Sequence, residues 1–138
     1  MAGTDTTNLG FLLAKASQRW NERLAEGFAA AGFADVRPSY GSVLLPLWEQ
    51  DDLRMGQLAE RARLSKQTMT TLVRLCERDG LVERAPDPQD GRATVVSLTA
   101  RAKRFRPVAA RVIAGLEQEV STRARRDLER ALKEVIDL

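Results

Sequence analysis

Polar side chains follow a helical spacing in residues 64–84, which read LSKQTMTTLVRLCERDGLVER. Gln67, Thr70, Thr71 and Arg74 are three or four positions apart in turn, so a helix would place them on one outward face. Glutamine can form paired hydrogen bonds with adenine, arginine can do so with guanine, and threonine offers a hydroxyl and a methyl group. The stripe therefore predicts a surface that reads base edges in the major groove.

The start of this helix suits a phosphate backbone. Ser65 is a favourable N-cap residue, and Lys66 and Thr68 lie in the first turn that follows it. The free backbone N–H groups of a first helical turn attract phosphate. An ordinary amphipathic helix with a polar outer face would show the same pattern, so the helix alone leaves both interpretations open.

A loop behind the helix supplies a second predicted contact. Strand-like segments at 81–84 and 94–98 enclose the loop APDPQDGR, whose prolines, aspartates and glycine are typical of a hairpin connection. Arg84 and Arg92 flank this loop and could reach a DNA backbone or the minor groove. Asp90 would oppose DNA as a direct contact, so we expect it to pair with an arginine, Arg92 above all. A solvated Asp-Gly turn is the alternative.

Apolar periodicity places these side chains on a mainly helical scaffold. Helices are predicted at about 7–31, from Arg37-Pro38 onwards, at Gly56–Ala62, at Lys66–Asp79, at about 99–120 and from Ser121 onwards. The order is a helix-turn-helix with a β-hairpin behind its second helix. The predicted fold class is therefore mainly α with a small β-hairpin.

The composition gives no support to catalysis. The chain has no histidine and one cysteine, so the commonest general base, the commonest metal ligand and an internal disulfide are all missing. We predict no enzyme, no metal site and no cofactor. The adjacent carboxylates of Asp51 and Asp52 are expected to be solvated in a polar turn.

Positive charge is concentrated in the middle of the chain. Residues 63–104 carry nine Lys and Arg against five Asp and Glu, although the net charge of the whole chain is only +3. A local basic surface indicates a polyanionic partner, while an ordinary solvated face is the alternative. No apolar run is long enough to span a bilayer and no signal-peptide pattern is present, so we expect a cytoplasmic protein with no membrane partner.

The segment LAERARLSKQTMTTLVRLCERDGLVERAPDPQDGRATVVSLT resembles the MarR family of bacterial transcriptional regulators. The most specific part is DGRATVVSLT, which matches the wing of that family, and LSKQTMTTLV matches its recognition helix. The resemblance implies a winged helix-turn-helix lobe over residues 36–99, flanked by dimerisation helices at 5–32 and 100–138 of a single domain, 1–138. It also implies a homodimer on a palindromic double-stranded operator, with wing arginines at the minor groove.

The chain also departs from the family pattern. Gly41 stands where an aromatic residue is common, beside the place where related proteins often bind small aromatic or acidic effectors. Candidate effector-binding residues are Trp20, Tyr40, Trp48 and Arg106. Core packing is the alternative for each of the aromatic rings. The lone Cys76 falls on the inward face of its helix, so we predict a structural thiol rather than an oxidant sensor.

The leading hypothesis is a homodimeric, sequence-specific DNA-binding regulator, a repressor released by a small molecule. A winged-helix protein-interaction module and a small-molecule-binding protein without specific DNA binding are the two rivals. Neither rival accounts for the basic excess, the outward Gln/Thr/Arg stripe and the arginine-flanked loop together.

Overall fold

Six helices and a three-stranded antiparallel sheet make up residues 3–138, the part of the chain that the computed structural model describes. In chain order they are α1 (Leu9–Ala30), α2 (Gly41–Glu49), β1 (Leu53–Arg54), α3 (Met55–Ala62), α4 (Lys66–Arg78), β2 (Val82–Pro86), β3 (Thr94–Leu98), α5 (Ala100–Gln118) and α6 (Thr122–Ile136). The predicted fold class, mainly α with a small β-hairpin, is confirmed. The second predicted helix begins as a 3-10 turn, Pro38–Tyr40, and becomes α-helical only from Gly41.

A tight turn joins α3 to α4. Arg63 adopts a left-handed backbone conformation with φ of 55°, and the Leu64 N–H donates to the Ala59 carbonyl at 3.0 Å. Such a left-handed residue ends a helix by satisfying its last carbonyls. Ser65 then begins α4 as predicted, because its Oγ accepts the Thr68 N–H at 3.1 Å. The two helices of the helix-turn-helix are thus fixed by local backbone bonds.

The sheet contains one strand more than the predicted hairpin. Its order is β1-β3-β2, and β1 pairs with β3 through Leu53 opposite Val96 and Arg54 opposite Val95. The strand β2 also begins one residue later than predicted and extends two residues further, to Pro86. Two residues are too short for a visible alternation, so β1 exists only through its pairing with β3.

The expectation that Asp51 and Asp52 are simply solvated was wrong. The Asp51 carboxylate accepts the Leu98 N–H at 2.9 Å, and the Asp52 carboxylate accepts the Ser97 hydroxyl at 2.6 Å. Both side chains therefore tie the turn after α2 to the end of β3. These partners lie more than forty positions away in the sequence, which is why a local pattern gives no sign of them.

One apolar core joins the helix-turn-helix to the flanking helices. Its largest fully buried side chains include Tyr40, Leu44, Leu58, Met69 and Phe105. The Phe105 ring on α5 lies 5.0 Å from the Phe28 ring of α1, centroid to centroid. The first long helix therefore packs on the fifth, and both pack on the lobe that carries α4.

The flanking helices leave apolar surface uncovered within one chain. No residue of α6 is buried, and Leu128 in that helix is 52% exposed. At the other end of the chain Leu9 is 70% exposed, and Phe11 and Leu12 are also exposed. Apolar side chains grouped in this way usually mark a surface that another molecule covers.

Helix α1 lies close to α5 at Gly27. A Cβ atom there would stand 2.5 Å from Cγ1 of Val112, whereas a Cβ at Gly115 in α5 would meet nothing within 4 Å. An alanine in place of a helical glycine gains about 0.5–1 kcal/mol from backbone entropy. Overpacking a stiff β-branched neighbour costs about 1–3 kcal/mol.

We therefore expect Gly27→Ala to lower the free energy of unfolding and Gly115→Ala to leave it unchanged or raise it. Chemical denaturation at one fixed protein concentration measures both variants. Equal stabilisation by the two substitutions would show that the two helices are not in close contact at Gly27.

Candidate nucleic-acid interface

The inner face of α4 fixes the orientation of the outer face. Met69, Val73 and Cys76 are buried completely among the residues of α2, α3 and the sheet. Burial raises the pKa of the Cys76 thiol to about 12, with a smaller contribution from Asp79. A thiol in that state is not nucleophilic near neutral pH, as expected for a structural cysteine.

The outer face of α4 carries the predicted stripe. Gln67, Thr71 and Arg74 are exposed and Thr70 is half-buried. The Thr70 hydroxyl donates to the Lys66 carbonyl at 2.8 Å, and the Thr71 hydroxyl donates to the Gln67 carbonyl at 3.1 Å. Because these hydroxyl protons are used within the helix, the threonines offer acceptor lone pairs and methyl groups to a ligand. That chemistry suits the amino groups of adenine and cytosine and the methyl group of thymine.

The wing, defined here as residues 82–98, presents Arg92 at its tip. The Arg92 side chain is 95% exposed. The carboxylate of Asp90 accepts the Arg92 backbone N–H at 3.1 Å and contacts its Nε at 3.4 Å. The predicted pairing of Asp90 with Arg92 is therefore present in the structure, and most of the guanidinium stays free.

Arg84 occupies a different position from the one expected at the base of the loop. It lies inside β2, and its guanidinium donates to both carboxylate oxygens of Glu77 on α4 at 3.0–3.2 Å. The hydrogen bond from Arg84 also lowers the pKa of Glu77. This pair joins the wing to the recognition helix, and a direct contact of Arg84 with DNA stays a prediction.

A groove of about 580 Å³ connects the helix-turn-helix to the wing. The predicted residues Lys66, Thr70 and Arg92 line it together with Arg54, which precedes α3. The structure thus brings the first turn of α4 and the wing arginine to the same opening. Lys66 and Arg92 at this opening are suited to the phosphates of a nucleic acid, whereas Arg54 is already paired with Asp87 and the acidic Glu60 also lines the groove.

Two residues of this region carry contacts that sequence patterns did not single out. Asp87 is only 8% exposed, and its carboxylate binds Arg54 at 2.5 Å. The only local sign of Asp87 is its place between two prolines, which is also typical of an ordinary turn.

None of the four candidate effector-binding residues lines the groove at the wing or the depression between α1 and α5. Tyr40 is buried, and its hydroxyl donates to the Asp79 carboxylate at 2.5 Å. Trp48 is half-buried and donates to the Ala102 carbonyl at 3.3 Å, Trp20 packs partly buried against the core, and Arg106 is exposed on α5. That depression, of about 400 Å³, is lined by other residues, so the effector-binding role of these four stays a prediction.

Residues 3–138 give no support to a metal site or to a membrane-spanning helix. No group of three or more histidine, cysteine, aspartate or glutamate side chains in that range could hold a metal ion. No helix in that range is both long and apolar enough to cross a membrane.

Comparisons with known proteins find a family match for the helix-turn-helix and most of the wing. The MarR family model matches residues 27–93. The organic hydroperoxide resistance transcriptional regulator of Bacillus subtilis is 34% identical over 62 residues, which are 45% of this chain and 42% of that protein. The aligned segments span less than two thirds of the length of the curated relatives.

Solved structures reproduce the whole architecture. The PcaV transcriptional regulator from Streptomyces coelicolor, in complex with its natural ligand, has a TM-score of 0.81 at 23% identity, covering 99% of this chain and 98% of that one. The S. aureus MepR–DNA complex has a TM-score of 0.77 at 19% identity, covering 94% of this chain and 96% of that one. The fold is that of winged helix-turn-helix proteins with long flanking helices. Over residues 27–93 the chain is similar to the MarR family.

The Tyr40–Asp79 hydrogen bond yields a stability prediction. Hydrogen bonds from Arg78 and then from Tyr40 lower the pKa of Asp79. Removing a buried hydrogen bond to a charged group costs about 1.5–3 kcal/mol. We expect Tyr40→Phe to lower the free energy of unfolding by that amount at pH 7, and the exposed Ser39→Ala to change it little.

The same bond has a pH dependence. A carboxyl with a lowered pKa in the folded chain stabilises it fully above its ordinary value of 3.8, and that stabilisation is lost as the pH falls through the lowered value. The difference between the wild type and Tyr40→Phe should therefore shrink in acid. Denaturant titrations from pH 7 downwards measure it, and a difference no larger than that of Ser39→Ala at pH 7 would contradict the assignment.

Proposed function

We propose that the chain is a homodimeric, sequence-specific DNA-binding transcriptional regulator, a repressor that a small aromatic or acidic effector releases from a palindromic operator. The observation that carries the proposal is the common orientation of the recognition helix and the wing. The stripe of α4 faces outward, with Thr70 half-buried and the other members exposed, and Lys66, Thr70 and Arg92 line one groove. That arrangement lets one lobe contact bases and the adjacent backbone at once.

The proposed roles divide by chemistry. Bases are read by Gln67, Thr70, Thr71 and Arg74, since these side chains leave the helix surface on its outer face. The backbone is held by Ser65, Lys66, Thr68, Arg84 and the first-turn N–H groups of α4. Arg92 enters the minor groove. The Asp90 carboxylate orients Arg92 through the Arg92 backbone N–H and Nε.

Dimerisation follows from the uncovered apolar faces. We assign residues 36–99 to the DNA-binding lobe and residues 5–32 and 100–138 to the dimer arms of one domain, 1–138. Leu9, Phe11 and Leu12 at one end and Leu128 and Ile136 at the other are exposed in the single chain. A second copy would cover both groups and set the two recognition helices on one face of a duplex.

Several similar proteins support the proposal by what they bind. The solved relatives include a DNA complex and a complex with a natural ligand, and another is a transcriptional repressor, CouR, bound to a 23-mer DNA duplex. The family is one of transcriptional regulators rather than enzymes. We propose no catalytic activity, no metal and a cytoplasmic location for this chain.

Arg74 provides the test of sequence reading. Selection of binding sites from random duplexes should give a palindrome whose half-site centres are about 10 bp apart. Arg74→Ala should weaken binding to that site by about 1–3 kcal/mol and relax one base per half-site. Arg104→Ala, which removes an exposed arginine of α5, is the charge-matched control. Equal weakening on every sequence would contradict base reading, and the absence of any enriched motif would overturn the proposed regulator.

Arg92 provides the test of the wing contact. The logarithm of the binding constant falls linearly with the logarithm of the salt concentration, by about 0.9 per neutralised phosphate. We expect Arg92→Ala to weaken binding and to lower this slope by about one per half-site, because one positive charge no longer neutralises the phosphates that flank the minor groove. Fluorescence anisotropy over a salt series measures the slope. A slope equal to that of the wild type would place Arg92 away from DNA.

A further inference from the structure

Asp87 is the only charged residue that is buried within residues 3–138. It is 8% exposed. It directly follows β2 and begins the loop that leads to Arg92. A buried carboxylate is costly unless charged or hydrogen-bonding partners compensate it. The partners of Asp87 should therefore show what holds it in the wing.

Those partners close the loop around Asp87. Its Oδ1 accepts the Gln89 N–H at 2.9 Å, and its Oδ2 binds Nη2 of Arg54 at 2.5 Å. Its own N–H donates to the Ala93 carbonyl at 2.9 Å, and its carbonyl accepts the Asp90 N–H at 3.2 Å. The hydrogen bond from Gln89 is the first cause, and Arg54 a further one, of a pKa of Asp87 below its usual range.

Arg54 is an unusual residue for its position. It is the N-cap of α3, where serine, threonine, aspartate or asparagine would accept an N–H of the first turn. A guanidinium has no acceptor, so Arg54 cannot cap the helix with its side chain. Its backbone N–H is bound by Oε1 of Gln57 at 2.9 Å, which leaves the side chain to reach the wing.

These contacts form a continuous connection from the helix-turn-helix to the wing tip. Arg54 binds the Asp87 carboxylate, which also accepts the Gln89 N–H. The backbone carbonyl of Asp87 accepts the Asp90 N–H, and the Asp90 carboxylate contacts Arg92, whose side chain otherwise lies in solvent. Ordering a free loop costs conformational entropy for every residue that is fixed. A loop that is already fixed in the free protein avoids that cost on binding.

We propose that Asp87 and Arg54 are positioning residues that anchor the wing to the start of α3 and hold Arg92 in place for DNA. The role of the anchor in DNA binding rests on the proposed function, whereas the contact of Asp87 with Arg54 is present in the free chain. Asp87 is shielded from solvent by its partners and acts through Arg92 rather than by touching DNA.

The first experiment measures the free protein and needs no DNA. Backbone amide order parameters by nitrogen-15 relaxation should be those of rigid backbone, about 0.85, for Gln89 to Arg92 in the wild type, and should fall below about 0.6 in Asp87→Ala. Arg54→Gln, which keeps the buried carboxylate, should lower them less. Asp127→Asn, which removes an exposed carboxylate of α6, is the control. Unchanged values in both wing variants would overturn the anchor, and the amides of α4 report whether the fold is kept.

The second experiment is a double-mutant cycle on the selected duplex. We expect Asp87→Ala to raise the Kd about tenfold in the wild type and less than about twofold in an Arg92→Ala background, since residues that act as a unit are not additive. Equal effects in both backgrounds would contradict positioning through Arg92. If Arg54→Gln weakens binding equally in both backgrounds, Arg54 contacts DNA directly. That result would contradict the proposal that Arg54 anchors the wing.

The two experiments separate the inference from the function on which it rests. A wild type with a rigid wing and no enriched duplex would overturn the proposed regulator while leaving the anchor in place. If the wild type binds a selected duplex but Asp87→Ala leaves the order parameters of the wing unchanged, the anchor alone is overturned.

Discussion

The packing of one face of α4 against the lobe is the interaction on which the rest of the structure depends. Met69, Val73 and Cys76 have no exposed surface, so the helix cannot turn about its axis without exposing part of the core. The opposite face is thereby held outward, with Gln67 and Arg74 exposed to solvent. A surface that reads bases needs a buried inner face that fixes the helix and an outer face that is exposed. A helix that rotates would present a different set of side chains to the bases.

The C-terminal end of α4 is fixed by the elements on either side of the lobe. Asp79 follows the helix, and its carboxylate accepts the buried Tyr40 hydroxyl. Its carbonyl accepts Nη1 of Arg101 at 2.6 Å, and Nη2 of the same arginine binds Asp35 at 2.8 Å. The recognition helix is therefore tied to the segment after α1 and to the start of α5. A displacement of the proposed dimer arms would reach the outer face of α4 through these bonds, which gives the proposed control by an effector a physical route.

Much of this arrangement could be predicted because it depends on local sequence. The Ser65 cap, the spacing of the α4 stripe and the β-branched run of β3 are signals that lie within a few residues of one another. The strand β1 could not be predicted, because its two residues become a strand only beside Val96. The contacts of Asp51, Arg84 and Asp87 were missed for the same reason: each depends on a partner that only the folded chain brings near. Tyr40 is buried in the core, and a role of the aromatic side chains toward an effector stays a prediction.

In a single chain, the evidence for a dimer is the exposed apolar surface of α1 and α6. The mass of the protein in solution, alone and on its selected duplex, tests it most directly. One chain has a mass of 15.3 kDa. Sedimentation equilibrium should give twice that mass for the free protein at micromolar concentration, and two chains on each duplex. A free monomer that binds as one chain per duplex would contradict a two-fold regulator, and would leave the apolar faces of α1 and α6 to a different partner.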